Sequence, residues 1–326
     1  MDNSIDVRSR NYWGLRAQAT LFRKFNCPAA TMQTYQDMIS TRDENVLKAV
    51  SGLVGGIVGR GSTCGVVSAG ALGLALLYDE ALQKNGRETD EAVISLAGDF
   101  VEWFTDTYGT TLCEERSGVN FWTLGGLFRY MLPGDRMLPC LSHISGSMKY
   151  LYDNRQQNIP SIVGGHGDEE TKPIHCAQAV LEGVRANTNI GDPITERISI
   201  VFDGGLGLQG GACGALAGAI MAINLHMGMN LREASLPKSY IAFFGGLRYL
   251  RADKAEEKAD PYDVGKTIVK RFEEEACSLD CKSITGMDFS DWASFQTYMH
   301  SSEKCKGLID LSIQEATSAI GRHTFA

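Results

Sequence analysis

The sequence predicts an all-α protein made of two tandem, pseudo-symmetric helical domains, each with a glycine-rich turn leading into a helix of small residues. Three observations carry that expectation. Apolar residues around the cysteines recur with helical spacing; GGIVGRGSTCG from Gly55 to Gly65 reappears 149 residues later as GGLGLQGGACG from Gly204 to Gly214; and eight of the nine cysteines pair between the two halves.

Composition sets the outer limits. The 326 residues are 44% hydrophobic, enough for one large domain or two ordinary ones. A net charge of −8 with no basic stripe argues against nucleic acid or an anionic membrane surface as partners. The opening MDNSIDVRSRNYWGLRAQ is charged where a secretory signal needs a continuous apolar run, so we expect a cytoplasmic protein with reduced thiols. Two uncharged stretches, Gly61 to Tyr78 and Gly210 to Leu225, are rich in small residues and too short to cross a bilayer, so they read as buried helices.

The cysteines fall in order along the two copies. Cys27 in FNCPAATM matches Cys176 in IHCAQAVL, and each stands 37 residues before the cysteine that follows its glycine turn, Cys64 or Cys213. Cys113 matches Cys281, with Phe104 and Phe272 each nine residues earlier, and Cys140 and Cys305 close the two quartets; Cys277 has no counterpart. The interval from Cys213 to Cys281 is longer than that from Cys64 to Cys113, and the charged segment Ala252 to Lys266 reads as a surface insertion that accounts for it. Gly164 to Pro173, glycine-rich and closed by proline, reads as the boundary between domains at 1–160 and 161–326.

Helical spacing places the cysteines on inward faces. Cys176, Ala179, Val180 and Gly183 share a stripe, as do Cys305, Leu308, Ile309 and Ser312, and Cys140, Ile144, Ser147 and Leu151. Cys64 and Cys213 open helices, where free N–H groups and the helix dipole favour a thiolate. On those helices Gly65, Ala69 and Gly73, and Gly214, Gly218 and Ala222, form smooth stripes that let another helix approach closely.

Free cysteine is often a small core hydrophobe, yet filler has no reason to recur as two parallel quartets. Gly205, Gly207 and Gly210 match a dinucleotide fingerprint, but the first copy breaks the pattern and no strand precedes either turn. The six histidines form no metal-spaced pair, and no catalytic triad or carboxylate pair can be argued, so whether the protein is an enzyme stays open.

Cys213-Gly214-Ala215-Leu216-Ala217-Gly218 resembles the signature of the C-GCAxxG-C-C family of redox-active proteins, which is related to the N-terminal part of split-Soret cytochrome c. The resemblance covers nearly the whole chain if taken twice. The first copy is looser, with Val66 and Ala69 where the signature has Ala and Gly. It implies a redox role and an iron–sulfur centre; without a C-x-x-C-H motif no haem is expected.

Four thiolates are the standard ligand set for two-iron and four-iron clusters, so electron transfer to an unidentified redox partner protein is the leading reading, with Cys27, Cys64, Cys113 and Cys140 on one centre and Cys176, Cys213, Cys281 and Cys305 on the other. Structural zinc usually draws on closely spaced cysteine pairs, and the closest pair here, Cys277 and Cys281, includes the one cysteine without a counterpart. The alternative is a thiol–disulfide oxidoreductase or redox sensor using Cys64 and Cys213 without metal. Assembly as a homo-oligomer stays open. Arg60, where the second copy has Gln209, is expected to face the first centre and raise its reduction potential.

Overall fold

The computed structural model describes residues 8–84, 86–131, 136–156, 172–239 and 260–324. Every extended regular element among them is helical, and the only pairing of β type is two isolated bridges, Thr63 with Leu112 and Ala212 with Asp280. The expected boundary at 160/161 and most of the Gly164 to Pro173 segment lie outside the described residues. No helix among them is long and apolar enough to cross a membrane.

The first repeat begins with α1 (Arg10–Lys24), whose N-terminus is capped by the Ser9 hydroxyl. Next come α2 (Cys27–Met38), capped by Asn26 with Pro28 in its first turn, and α3 (Glu44–Ser51), capped by Asp43. After the glycine turn run α4 (Gly65–Leu77), α5 (Asp79–Lys84), α6 (Arg87–Tyr108, closed by left-handed Gly109), α7 (Cys113–Ser117), α8 (Leu124–Met131) and α9 (Met137–Asn154). The second repeat has α10 (Cys176–Thr188), α11 (Pro193–Ile198) continuing into a short 3-10 turn, α12 (Gly214–Met227), α13 (Pro261–Ala276), α14 (Cys281–Thr285), α15 (Trp292–Ser301) and α16 (Glu303–Thr324). Helices α2, α4, α6, α7 and α9 thus answer to α10, α12, α13, α14 and α16.

The small-residue helices are the centre of the molecule. All of α4 from Gly65 to Leu76 and all of α12 from Gly214 to Leu225 is buried, as expected of helices apolar on every side. Their glycine stripes receive the cysteine-bearing helices: a Cβ on Gly73 would lie 2.9 Å from the Tyr35 ring of α2, and one on Gly218 2.7 Å from the Ala177 carbonyl of α10. One hydrophobic core runs through both repeats.

The glycine turns are mirror-handed. Gly55 to Gly59 all have positive φ, from 50 to 75°, and Gly204 to Leu208 repeat this with φ from 60 to 81°. The backbone bonds repeat too: Val58 N–H to the Gly52 carbonyl (3.0 Å) and Gly61 N–H to Gly55 (3.0 Å) answer to Gly207 N–H to Val201 (2.7 Å) and Gly210 N–H to Gly204 (2.9 Å). Ile57, Val58, Leu206 and Leu208 accept a conformation that costs an ordinary residue about 1–2 kcal/mol. Gly56 and Gly205 cannot be replaced cheaply, since a Cβ would lie 2.3 Å from the Ser62 carbonyl or 2.6 Å from Cys281 Cβ.

Each turn seats on the other repeat. Val58 packs on Gly265 of α13, while Gly207 lies against the backbone of Ala97 and Gly98 in α6; a Cβ there would come within 2.3 Å of Gly98 N. The turns meet where Ala212 N–H donates to Thr63 Oγ1 (2.8 Å), one residue from Cys213 and one from Cys64. The segment read as an insertion is partly helix: Asp260 caps α13 through Tyr262 N–H (2.9 Å) and Gly265 is buried at this contact, whereas Ala252 to Ala259 lie outside the described residues.

Candidate functional site

Each quartet closes on one cavity. Cys27 opens α2, Cys64 caps α4, Cys113 opens α7 and Cys140 lies in the first turn of α9, and all four line a cavity of about 190 Å³. Cys176, Cys213, Cys281 and Cys305 occupy the matching places on α10, α12, α14 and α16 and line a cavity of about 20 Å³. Cys277 is exposed at the left-handed C-cap of α13 and lines neither.

The same local bonds hold both sites. Cys64 N–H donates to the Thr111 carbonyl (2.7 Å) and Cys113 N–H to Ser62 (2.8 Å); in the second copy Cys213 N–H donates to Leu279 (2.8 Å) and Cys281 N–H to Gly211 (2.7 Å). The mirror-handed turn is thereby tied to the segment carrying the third cysteine. The helix stripes bring in the first: a Cβ on Gly65 would lie 3.0 Å from Cys27 Sγ, and one on Gly214 2.8 Å from Cys176 Cβ.

Burial, invisible in the sequence, overrides the helix start. N–H groups of Val66 and Val67 point to Cys64, and those of Ala215 and Leu216 to Cys213, which favours the thiolates; desolvation outweighs them and pushes Cys64 up to about 12 and Cys213 to about 11. Desolvation likewise raises Cys27, Cys113, Cys140, Cys176 and Cys281, and in all of these but Cys140 the facing thiols add to it. The expected free thiolate at Cys64 or Cys213 is therefore not what this environment supports in the absence of a bound cation. Neither residue has the exposure or lowered pKa of a dithiol catalyst.

The neighbours that sequence reasoning missed differ between the sites. Beside the first quartet, the Arg116 guanidinium favours charge on Cys64 and Cys140, and the Tyr130 hydroxyl donates to Cys140. Arg116 bonds His143 Nε2 (3.2 Å from Nε), and His143 is pulled down to about 4 by burial first and Arg116 second. Arg60 does not serve as the first site's cation: it pairs with Glu273 (2.8 and 3.1 Å) and lies over Trp122. Beside the second quartet, Asp203 Oδ1 accepts from Cys176 N–H (3.2 Å) while Oδ2 accepts from Trp292 Nε1 (3.1 Å) and meets His175 Nδ1 (2.8 Å). Desolvation works against charge on His175, yet Asp203 and Asp90 of the first repeat hold it up to about 10. The DGG run at 203–205 was the available signal for Asp203, whose place in the first copy is taken by Val54.

Among the described residues no three His, Cys, Asp or Glu side chains are set to hold one metal ion. The thiols ring a space rather than converge on a point. At the first quartet that space suits a multi-atom group. At the second it has room for one or two waters, so such a group requires the thiols to turn outward.

The family model described as "Putative redox-active protein (C_GCAxxG_C_C)" matches residues 25–123 and 174–318. The chain belongs to this family. The C_GCAxxG_C_C match falls in two segments, as two tandem copies require, each holding a glycine turn; the first contains Cys27, Cys64 and Cys113 of its quartet and the second contains all four, Cys176, Cys213, Cys281 and Cys305. It supports a redox role and specifies no cofactor. No curated protein and no solved structure matches the chain.

Proposed function

We propose that this C_GCAxxG_C_C protein is an electron carrier holding an iron–sulfur cluster on each cysteine quartet, one repeat in 1–160 and the other in 161–326, and passing electrons to a separate redox partner protein in the cytoplasm. The observation that carries this reading is that four cysteines from four distant segments line one cavity, twice, in matching places. A cluster, when bound, would supply one-electron chemistry. The chain supplies four thiols to each site, N–H groups from the starts of α4 and α12 aimed at Cys64 and Cys213, and apolar walls that keep out water. Metal binding is also the usual way in which buried thiols with raised pKa values become deprotonated. The bond from Ala212 to Thr63 brings the turn before Cys213 against the turn before Cys64, which supports a relay within the chain.

Anaerobic purification followed by iron and acid-labile sulfide analysis, visible absorption and EPR tests the proposal. Brown protein with iron and sulfide in comparable amounts is expected. Colourless protein carrying stoichiometric zinc, or metal-free protein with reversible Cys27–Cys64 or Cys176–Cys213 bonds by mass spectrometry, would refute it.

A further inference from the structure

The first cavity is larger than a cysteine quartet requires. The second is enclosed by its own repeat, whereas the first extends into a chamber with walls from the other repeat: Asn224, Met229, Leu231, Ser239, Asp260, Pro261 and Tyr262. All seven fall between Cys213 and Cys281, the interval that is longer than its counterpart, and Asp260, the one carboxylate among them, is engaged as the cap of α13. The whole cavity, its cysteine-lined end included, is about 190 Å³; an apolar cavity of about 150 Å³ takes up benzene.

Two polar groups in its wall lack the partner their chemistry calls for. Lys24, 8% exposed, donates from Nζ to the carbonyls of Arg232 (3.2 Å) and Ala234 (2.9 Å), and among the described residues no carboxylate pairs with it. An ammonium has three donors, so among the described residues one donor and the charge have no partner. Ser239, 1% exposed, has an Oγ with no hydrogen-bond partner among the described residues. A buried cation and a buried hydroxyl are costly unless something pairs with them. The remaining walls are mostly apolar, among them Leu21, Phe121, Met229 and Leu231.

We propose that this chamber binds a small organic acid of about the size of benzoate, its carboxylate on Lys24 and Ser239 and its apolar body toward the first cysteine quartet. Its position beside a redox centre rests on the proposed function; the binding does not.

Calorimetry on the full-length, anaerobically purified protein, with benzoate as probe and benzamide as neutral control, tests this. One benzoate per chain is expected, bound at least tenfold more tightly than benzamide. Lys24→Met should weaken benzoate at least tenfold and leave benzamide unchanged, with helical content checked by circular dichroism. Because Lys24→Met also strips two carbonyls of their donor, Ser239→Ala, which removes only an unpartnered oxygen, is the gentler variant and should weaken benzoate severalfold. Benzoate bound no better than benzamide by the parent protein, or affinity unchanged in both variants, overturns the proposal. Iron and sulfide measured on the same sample separate the two readings: iron without benzoate binding removes only the chamber's ligand, and benzoate binding without iron upholds the chamber and removes the clusters.

Discussion

Around the first quartet the charged neighbour is the cation Arg116, and the cysteines open onto a wide chamber; around the second, the carboxylates of Asp203 and Asp280 bear on Cys176, Cys281 and Cys213, and the space is nearly closed. The backbone differs little between them. The mirror-handed turn, the bonds from it to the third cysteine and the glycine under the first cysteine recur almost bond for bond. Duplication has kept what positions sulfur and released what tunes it, so two similar donor sets are placed to behave differently.

The sharpest challenge to that comparison is metal content. Cys64→Ser and Cys213→Ser should each remove about half of the iron, whereas Cys277→Ser, at an exposed position outside both cavities, should leave it unchanged. If Cys213→Ser keeps all the iron, the closed second cavity holds no cluster and the two sites are not equivalent in kind.

The seats of the two turns come next. A Cβ on Gly98 would lie 2.6 Å from the Gly207 carbonyl, a rigid backbone atom, while one on Gly265 would meet a Val58 methyl at 2.9 Å. Gly98→Ala should therefore cost about 3 kcal/mol and Gly265→Ala about 1, read from urea unfolding. Equal costs would mean that the Val58 side yields no more readily than the backbone at Gly207.

A smaller effect should follow acidity. His143, 1% exposed and held neutral by burial and by Arg116, has its place in the second copy taken by Leu308. A base whose folded pKa is lowered, here from 6.5 to about 4, contributes stability that is complete above 6.5 and lost as pH falls through 4. About 2 kcal/mol should be lost between pH 7 and pH 5, and His143→Gln should flatten that slope. An unchanged slope would assign the acid sensitivity to other groups. Smallest is the tuning itself: Arg116→Gln should lower the first centre's reduction potential by tens of millivolts and leave the second in place, and a redox titration with no shift would take Arg116 out of the account.

Much of this site was legible because the chain states it twice. Recurrence marked eight cysteines and set Cys277 aside, and the glycine stripes on α4 and α12 pointed to the close approach of another helix, though not to which; the structure puts α2 and α10 there. What recurrence could not show is long-range contact and burial. Arg60 looked like a charge for the first centre, yet its partner Glu273 stands more than 200 residues away. Arg116, three residues after Cys113 on the short helix that the cysteine opens, is the cation that bears on Cys64 and Cys140. The helix-start argument for a free thiolate was sound about the dipole and blind to desolvation, which local sequence does not reveal. Glycines signalled a tight turn, but not that five residues in a row would run left-handed with isoleucine, valine and leucine among them.

The reciprocal seating of the turns also bears on ancestry. Each repeat offers a matching patch to the other, which is the form an isologous contact takes between two copies of one chain about a two-fold axis. In such a dimer both faces are one gene product and must change together. Once joined in a single chain they need not: a valine at 58 sits opposite a glycine at 265, while a glycine at 207 sits opposite the backbone at 98. In this chain the two surfaces are an unlike but matched pair, and one half opens on a chamber while the other stays closed.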